Sequence, residues 1–211
     1  MSREEAIKAI EVGIDTVAEL KEKGYNVFAT GEMGIGNTTT SSAVCSVLLD
    51  QSVEKVTGKG AGLTNKDLEH KIEVIKQSIA LNQVDANDQI DVLSKVGGLD
   101  IAGMVGCYIG GAALQVPVFI DGFISSVAAL IAIRLIPECA PYLFPSHCSN
   151  EPAGHLILDA IGKEPYILAN MCLGEGTGAV MGFTIADYAF KAYWELPSFE
   201  QTNFGTYEEL N

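Results

Sequence analysis

Apolar residues recur at helical spacing at the start of the chain: Ile7, Ile10, Ile14 and Val17 fall three and four apart, on one face. Ser2 and Glu5 precede that run as a capping box, in which each side chain accepts the other's backbone N–H, and Gly24 follows the last turn. The pattern predicts an amphipathic helix over residues 2–23. The period then changes. Residues 25–30 are a short β-prone run leading into glycines over 31–36, and residues 37–49 read as a helix, which makes a strand, loop and helix unit. Leu68, Ile72, Ile75 and Ile79 mark one face of a helix over 64–81, and a shorter helix is predicted over 88–96. Farther on, the apolar runs 101–106, 116–121, 142–145 and 166–168 are buried-strand candidates, separated by stretches long enough to be helical. Phe123 to Ile133, interrupted by Ser125 and Ser126, is shorter than the ~18 residues that suggest a membrane span and reads as a buried helix. The predicted fold is α/β and Rossmann-like, a mainly parallel sheet flanked by helices. One domain is expected over 1–196, with a loosely held tail over 197–211.

Bulk properties narrow the function. With 48% hydrophobic and 19% charged residues the chain reads as globular. Thirteen basic against 27 acidic residues leave a net charge of -14, which repels nucleic-acid phosphates and anionic membranes, so neither is an expected partner. The start of the chain has neither a basic region followed by an apolar core nor an Arg-rich amphipathic stretch, and the expected compartment is the cytoplasm. The five cysteines are scattered, with no C-x-x-C pair, and read mostly as small core residues; no metal and no cofactor are predicted.

Two glycine-rich segments carry candidate chemistry. The first runs from Gly31 through Glu32, Gly34 and Gly36 to Asn37 and Thr38, after a predicted strand and into a helix. Glycines let backbone amides approach a phosphate, and the helix start adds unpaired N–H groups and a positive dipole end. The spacing is that of a triphosphatase loop, but Asn37 stands where that loop has its lysine, so a monophosphate is the better ligand. The bland alternative is an ordinary glycine turn. Glu32 argues for a cationic group nearby, since a carboxylate disfavours a bare phosphate. The second segment places Glu175 between Gly174 and Gly176 ahead of a helical run. In a water-poor pocket such a carboxylate can act as a base, while the local pattern equally allows a helix cap. Asp121, Ser146 and Ser149 follow predicted strands, where open parallel sheets bind ligands; the alternatives are an N-cap for Asp121 and turn chemistry for the serines. His147 reads as a core histidine and receives no role.

Five ordered blocks then carry a resemblance: Gly31 to Thr39, Lys95 to Gly98, Asp121 to Phe123, Ser146-His147 with Ser149, and Leu173 to Gly178. The chain resembles the nicotinate-nucleotide:dimethylbenzimidazole phosphoribosyltransferases. The resemblance implies transfer of the 5-phosphoribosyl group from nicotinate mononucleotide to 5,6-dimethylbenzimidazole, in assembly of the cobalamin lower ligand. It implies Glu175 as general base and Glu32, Gly34, Gly36, Asn37 and Thr38 as the nucleotide loop, with Gly174 and Gly176 flanking the base. Lys71, Asp121 and Ser149 resemble further mononucleotide contacts, although Lys71 taken alone reads as a solvated helix charge. A homodimer is implied. Cys172 departs from the family, which usually has an arginine there. Met1 aligns well inside the family pattern, so a complementary amino-terminal segment is expected to be needed for the benzimidazole pocket, and the fold is expected to be incomplete without it. The competing readings are a relative using another base or a phenol, and a noncatalytic mononucleotide-binding subunit.

Overall fold

A computed structural model describes residues 1–202. Helix α1 (Arg3–Glu22) opens the chain, with Ser2 and Glu5 closing the predicted capping box. Strand β1 (Phe28–Ala29) follows, shorter than its β-prone run because Tyr25 and Val27 stay exposed. Helices α2 (Asn37–Leu49), α3 (Val53–Val56), α4 (Asn65–Asn82), α5 (Gln89–Val96) and α6 (Leu99–Ala113) lead to β2 (Val118–Ile120). Then come α7 (Phe123–Leu135), β3 (Leu143–Pro145), β4 (His147–Ser149), α8 (Gly154–Ile161), β5 (Ile167–Met171) and α9 (Thr177–Glu195). Beyond α9 a 3-10 turn, Phe199–Gln201, lies in the stretch expected to be a tail; residues 203–211 of that tail lie outside the described residues.

The strands are parallel throughout, in the order β1-β2-β3, with Phe28 opposite Val118 and Val118 opposite Leu143. β4 pairs in parallel with β5, and the Ile167 N–H donates to the Ser146 carbonyl, so this pair continues the first sheet beyond a bend at Ser146. Helices cross over between the paired strands, which parallel pairing requires. α7 is buried all round from Phe123 to Ala132 and forms the centre of the core, with α6 and α8 against it. No described helix is long and apolar enough to cross a membrane.

One predicted strand is a helix. Residues 101–106 lie inside α6, and the reason is visible in its packing against α1. A Cβ on Gly106 would stand 1.9 Å from the Ile10 carbonyl oxygen, and one on Gly13 would stand 2.0 Å from that of Gly103. The two helices touch backbone to backbone. A helix buried on several sides by small residues shows no polar face, so its period is lost and a short apolar run cannot be told from a buried strand.

Candidate active site

The carboxyl ends of the parallel strands open onto one cleft, as expected for an open parallel sheet. β1 is anchored there by Thr30, whose N–H donates to the Phe119 carbonyl and whose hydroxyl lies 2.6 Å from the buried Tyr108 hydroxyl. The chain then turns through Gly34 (φ 80°) and Gly36 (φ 86°), left-handed conformations open to glycine, and enters α2 with Gly36 as N-cap and no side-chain cap. The first N–H groups of α2 are therefore left to whatever occupies the loop.

The second glycine segment packs onto the first. A Cβ at Gly31 would stand 2.4 Å from the Gly176 nitrogen, so the two loops meet backbone to backbone, and the Glu175 N–H donates to the Glu32 carbonyl at 2.9 Å. Asp121 holds this arrangement. Its buried carboxylate accepts N–H bonds from Gly176 (3.0 Å), Gly178 (2.8 Å) and Ala179 (3.2 Å), at the start of α9. The capping alternative for Asp121 is thus half right. It does not cap α7, the helix that follows it, whose N-cap is Gly122; it caps α9, 55 to 58 residues away. Glu175 is no cap. α9 has Gly176 as N-cap without a side-chain bond, and Glu175, itself at φ 59°, is exposed rather than enclosed in a water-poor pocket.

Lys71 corrects the solvated-charge reading: it is 7% exposed, and its ammonium donates to the Thr38 hydroxyl (2.9 Å) and the Gly58 carbonyl (3.1 Å). Burial lowers its pKa, partly opposed by the nearby Glu151 carboxylate, while burial raises Glu151 against the pull of Lys71. Glu151 lies against the turn that Lys71 holds, since a Cβ on Gly58 would strike its carboxylate oxygen at 1.9 Å. No pattern in the sequence singled out Glu151; only its place two residues after Ser149 was a signal.

Of the sequence-predicted residues, Glu32, Gly34, Thr38, Asp121, Ser149 and Gly174 line one cleft. Glu175 and Gly176 line a shallower depression next to it, sharing Glu32 and Met33 with the cleft. Lys71 stands behind Thr38. Gly36 and Asn37 lie at the helix end of the loop and line neither; the Asn37 side chain donates to Asp100 at 2.9 Å, leaving its backbone to face a ligand. The turn reading of Ser149 also holds, its hydroxyl accepting the Glu151 N–H at 3.4 Å. Cys172, exposed, lines the cleft as well. His147, unassigned by sequence, lines it too. Among the described residues no group of three histidine, cysteine or acidic side chains is disposed to hold a metal.

The carboxyl edge of a parallel α/β sheet thus carries a helix start without a side-chain cap and, packed against its loop, a second glycine loop bearing a carboxylate. A family model described as Phosphoribosyltransferase (DBI_PRT) matches residues 1–204, and the chain belongs to that family. It is 53% identical over 210 residues to a protein of Ruminiclostridium cellulolyticum named nicotinate-nucleotide–dimethylbenzimidazole phosphoribosyltransferase, covering 100% of this chain and 60% of that one. A protein of the same name from Clostridium acetobutylicum is 49% identical over 210 residues, again covering 100% and 60%. Among solved structures, CobT from Thermus thermophilus superposes with a TM-score of 0.89 at 31% identity, covering 95% of this chain and 60% of that one. The chain thus spans about 60% of the length of the relatives it matches.

Proposed function

We propose that this chain carries the mononucleotide site and catalytic carboxylate of an enzyme that transfers the 5-phosphoribosyl group from nicotinate mononucleotide to 5,6-dimethylbenzimidazole. The observation that carries this reading is the meeting of the two glycine loops, which brings Glu32 and Glu175 together beside the uncapped start of α2. The phosphate would lie on the backbone of Gly34 to Thr38, with Lys71 behind Thr38 as the balancing cation. Asp121 acts by holding the Glu175 loop; its oxygens are already taken by three N–H groups.

The chemistry balances without a further reagent. The bond between the pyridinium nitrogen and the anomeric carbon breaks, its electron pair neutralises the ring, and nicotinate leaves. A lone pair of the acceptor nitrogen forms the new bond to that carbon. Glu175 takes the proton from the acceptor's ring N–H, giving α-ribazole 5′-phosphate. Positive charge gathers at the anomeric carbon in between, and Glu32 and Glu175 are the carboxylates that would stabilise it.

Glu175 is exposed here, and apolar side chains stand uncovered around it: Met33 and Ile35 on the first loop, Leu173 on the second, Val180 on α9. This supports a complementary family segment that covers the base and completes the acceptor pocket. The test is mass spectrometry of the products formed from nicotinate mononucleotide and a panel of benzimidazoles, purines and phenols, with and without the complementary segment of a relative. Ribazole phosphate from dimethylbenzimidazole is the expected product. Another acceptor preferred throughout would move the reading to a different lower-ligand base. Tight mononucleotide binding with no product under any condition would leave a noncatalytic binding subunit. In the completed enzyme, Glu175→Gln is expected to lower turnover by ~10²–10⁴-fold with mononucleotide affinity nearly unchanged; an unchanged turnover number removes Glu175 as the base.

A further inference from the structure

His147 is buried to 2% exposure at the head of β4, yet one edge of its ring faces the cleft. Its orientation is set on every side. A Cβ on Gly178 would stand 2.0 Å from Nδ1, so the start of α9 packs directly on the ring. On the other side the Nε2 edge of the ring lies beside Gly122, whose Cβ would stand 3.5 Å from Nε2 and 3.9 Å from the Ser149 Cβ, and Gly122, His147 and Ser149 all line the cleft.

The hydrogen-bond geometry favours one tautomer. The Ser146 hydroxyl donates to the Ile120 carbonyl at 2.7 Å, which commits its one proton. What Ser146 Oγ can offer Nδ1, 3.0 Å away, is a lone pair, so Nδ1 carries the hydrogen. The neutral ring then has an unprotonated Nε2, with no partner among the described residues. Burial also holds the pKa of His147 below the usual histidine value, with the Asp121 carboxylate, 3.9 Å from Nδ1, opposing.

An acceptor in the cleft needs a donor from the ligand. Nicotinate mononucleotide offers few: its phosphate and carboxylate are acceptors, its pyridinium nitrogen carries no hydrogen, and its only hydroxyls are on the ribose. We propose that His147 accepts, through Nε2, a hydrogen bond from a ribose hydroxyl of the mononucleotide, and that it selects ribosyl over deoxyribosyl phosphate ligands. The proposal rests on the mononucleotide reading above and deepens it; Glu175 and the transfer step are unaffected.

Titration calorimetry on the full chain tests it, using nicotinate mononucleotide and its 2′-deoxy and 3′-deoxy analogues against wild type and His147→Phe. One deoxy analogue should bind the wild type about tenfold more weakly, the scale of one lost hydrogen bond. His147→Phe should bind that analogue and the parent equally. A role confined to packing would weaken both ligands together and keep their ratio, and that result overturns the proposal. So does a wild type that binds the mononucleotide with no preference between ribose and deoxyribose, which leaves the mononucleotide reading standing. A wild type that binds none of the three overturns both. Nitrogen-15 imidazole shifts of the unliganded wild type give a second measurement that needs no variant: a hydrogen on Nδ1 and none on Nε2 is expected at pH 7.5, and a protonated Nε2 sinks the proposal.

Discussion

Asp121 shows how much a single side chain can decide. Its two oxygens accept three N–H groups from the start of α9, so the loop carrying Glu175 is held from a residue at the end of β2. Asp121→Ala would leave those buried donors unpaired, at a cost of ~1–3 kcal/mol per stranded group. We expect at least about 2 kcal/mol lost in urea denaturation; an unchanged midpoint would show that the loop keeps its place without the carboxylate. His147 adds a pH dependence. Because burial lowers its native pKa, the unfolded chain takes up a proton below about 6.5 that the native state refuses. Its contribution to stability is therefore complete above that pH and declines as pH falls toward the native value. Glu151, raised by burial, works in the opposite sense, so the comparison must be between wild type and His147→Phe. From pH 7.5 to 5.5 the wild type should lose more stability than the variant; equal losses would show that His147 titrates normally.

At the scale of elements, α1 and α6 are joined through glycines that differ in what surrounds them. Gly106→Ala would place its Cβ 1.9 Å from the Ile10 carbonyl oxygen, a backbone atom that cannot swing aside. Overpacking of that kind costs ~1–3 kcal/mol, and a clash with backbone should reach the upper end. Gly103, in the same helix, has nothing within 4 Å of its Cβ position, so Gly103→Ala should instead gain about 0.5–1 kcal/mol from helix propensity. Opposite signs in chemical denaturation are the expected result. Two stabilising variants would mean that helix propensity rather than close contact governs this crossing.

Across the whole molecule, the carboxyl-terminal half of α9 is the uncovered apolar element of interest, with Tyr188, Phe190, Tyr193 and Trp194 63–77% exposed. Apolar surface of that extent marks an interaction site or an aggregation hazard. The chain's single tryptophan, Trp194, lies within it and reports on it directly. In the chain alone its emission should be that of a hydrated indole and should be quenched by iodide. Adding the complementary segment of a relative should shift the emission to the blue and protect it. Protection in the chain alone at micromolar concentration, with a doubled mass in light scattering, would show that a second copy covers this face instead.

Much of this was legible in the chain. Period and capping residues gave α1, α4 and α5 to within a residue or two, because each keeps a polar face or a marked end, and four of the five strand candidates coincide with β1, β2, β3 and β5, while β4 was not foreseen. The glycine loops were legible because left-handed backbone and close backbone contact both favour glycine. The rest depended on contacts between distant residues. Whether 101–106 was strand or helix turned on Gly13 admitting α6 against α1. Whether Lys71 was solvated turned on Thr38 and Gly58 standing over it. What Asp121 caps, and which nitrogen of His147 faces the cleft, were set by α9 and Ser146 folding back onto the end of β2. Local pattern records what a residue does to its neighbours in sequence; donors, clashes and burial arriving from 50 residues away leave no period to read.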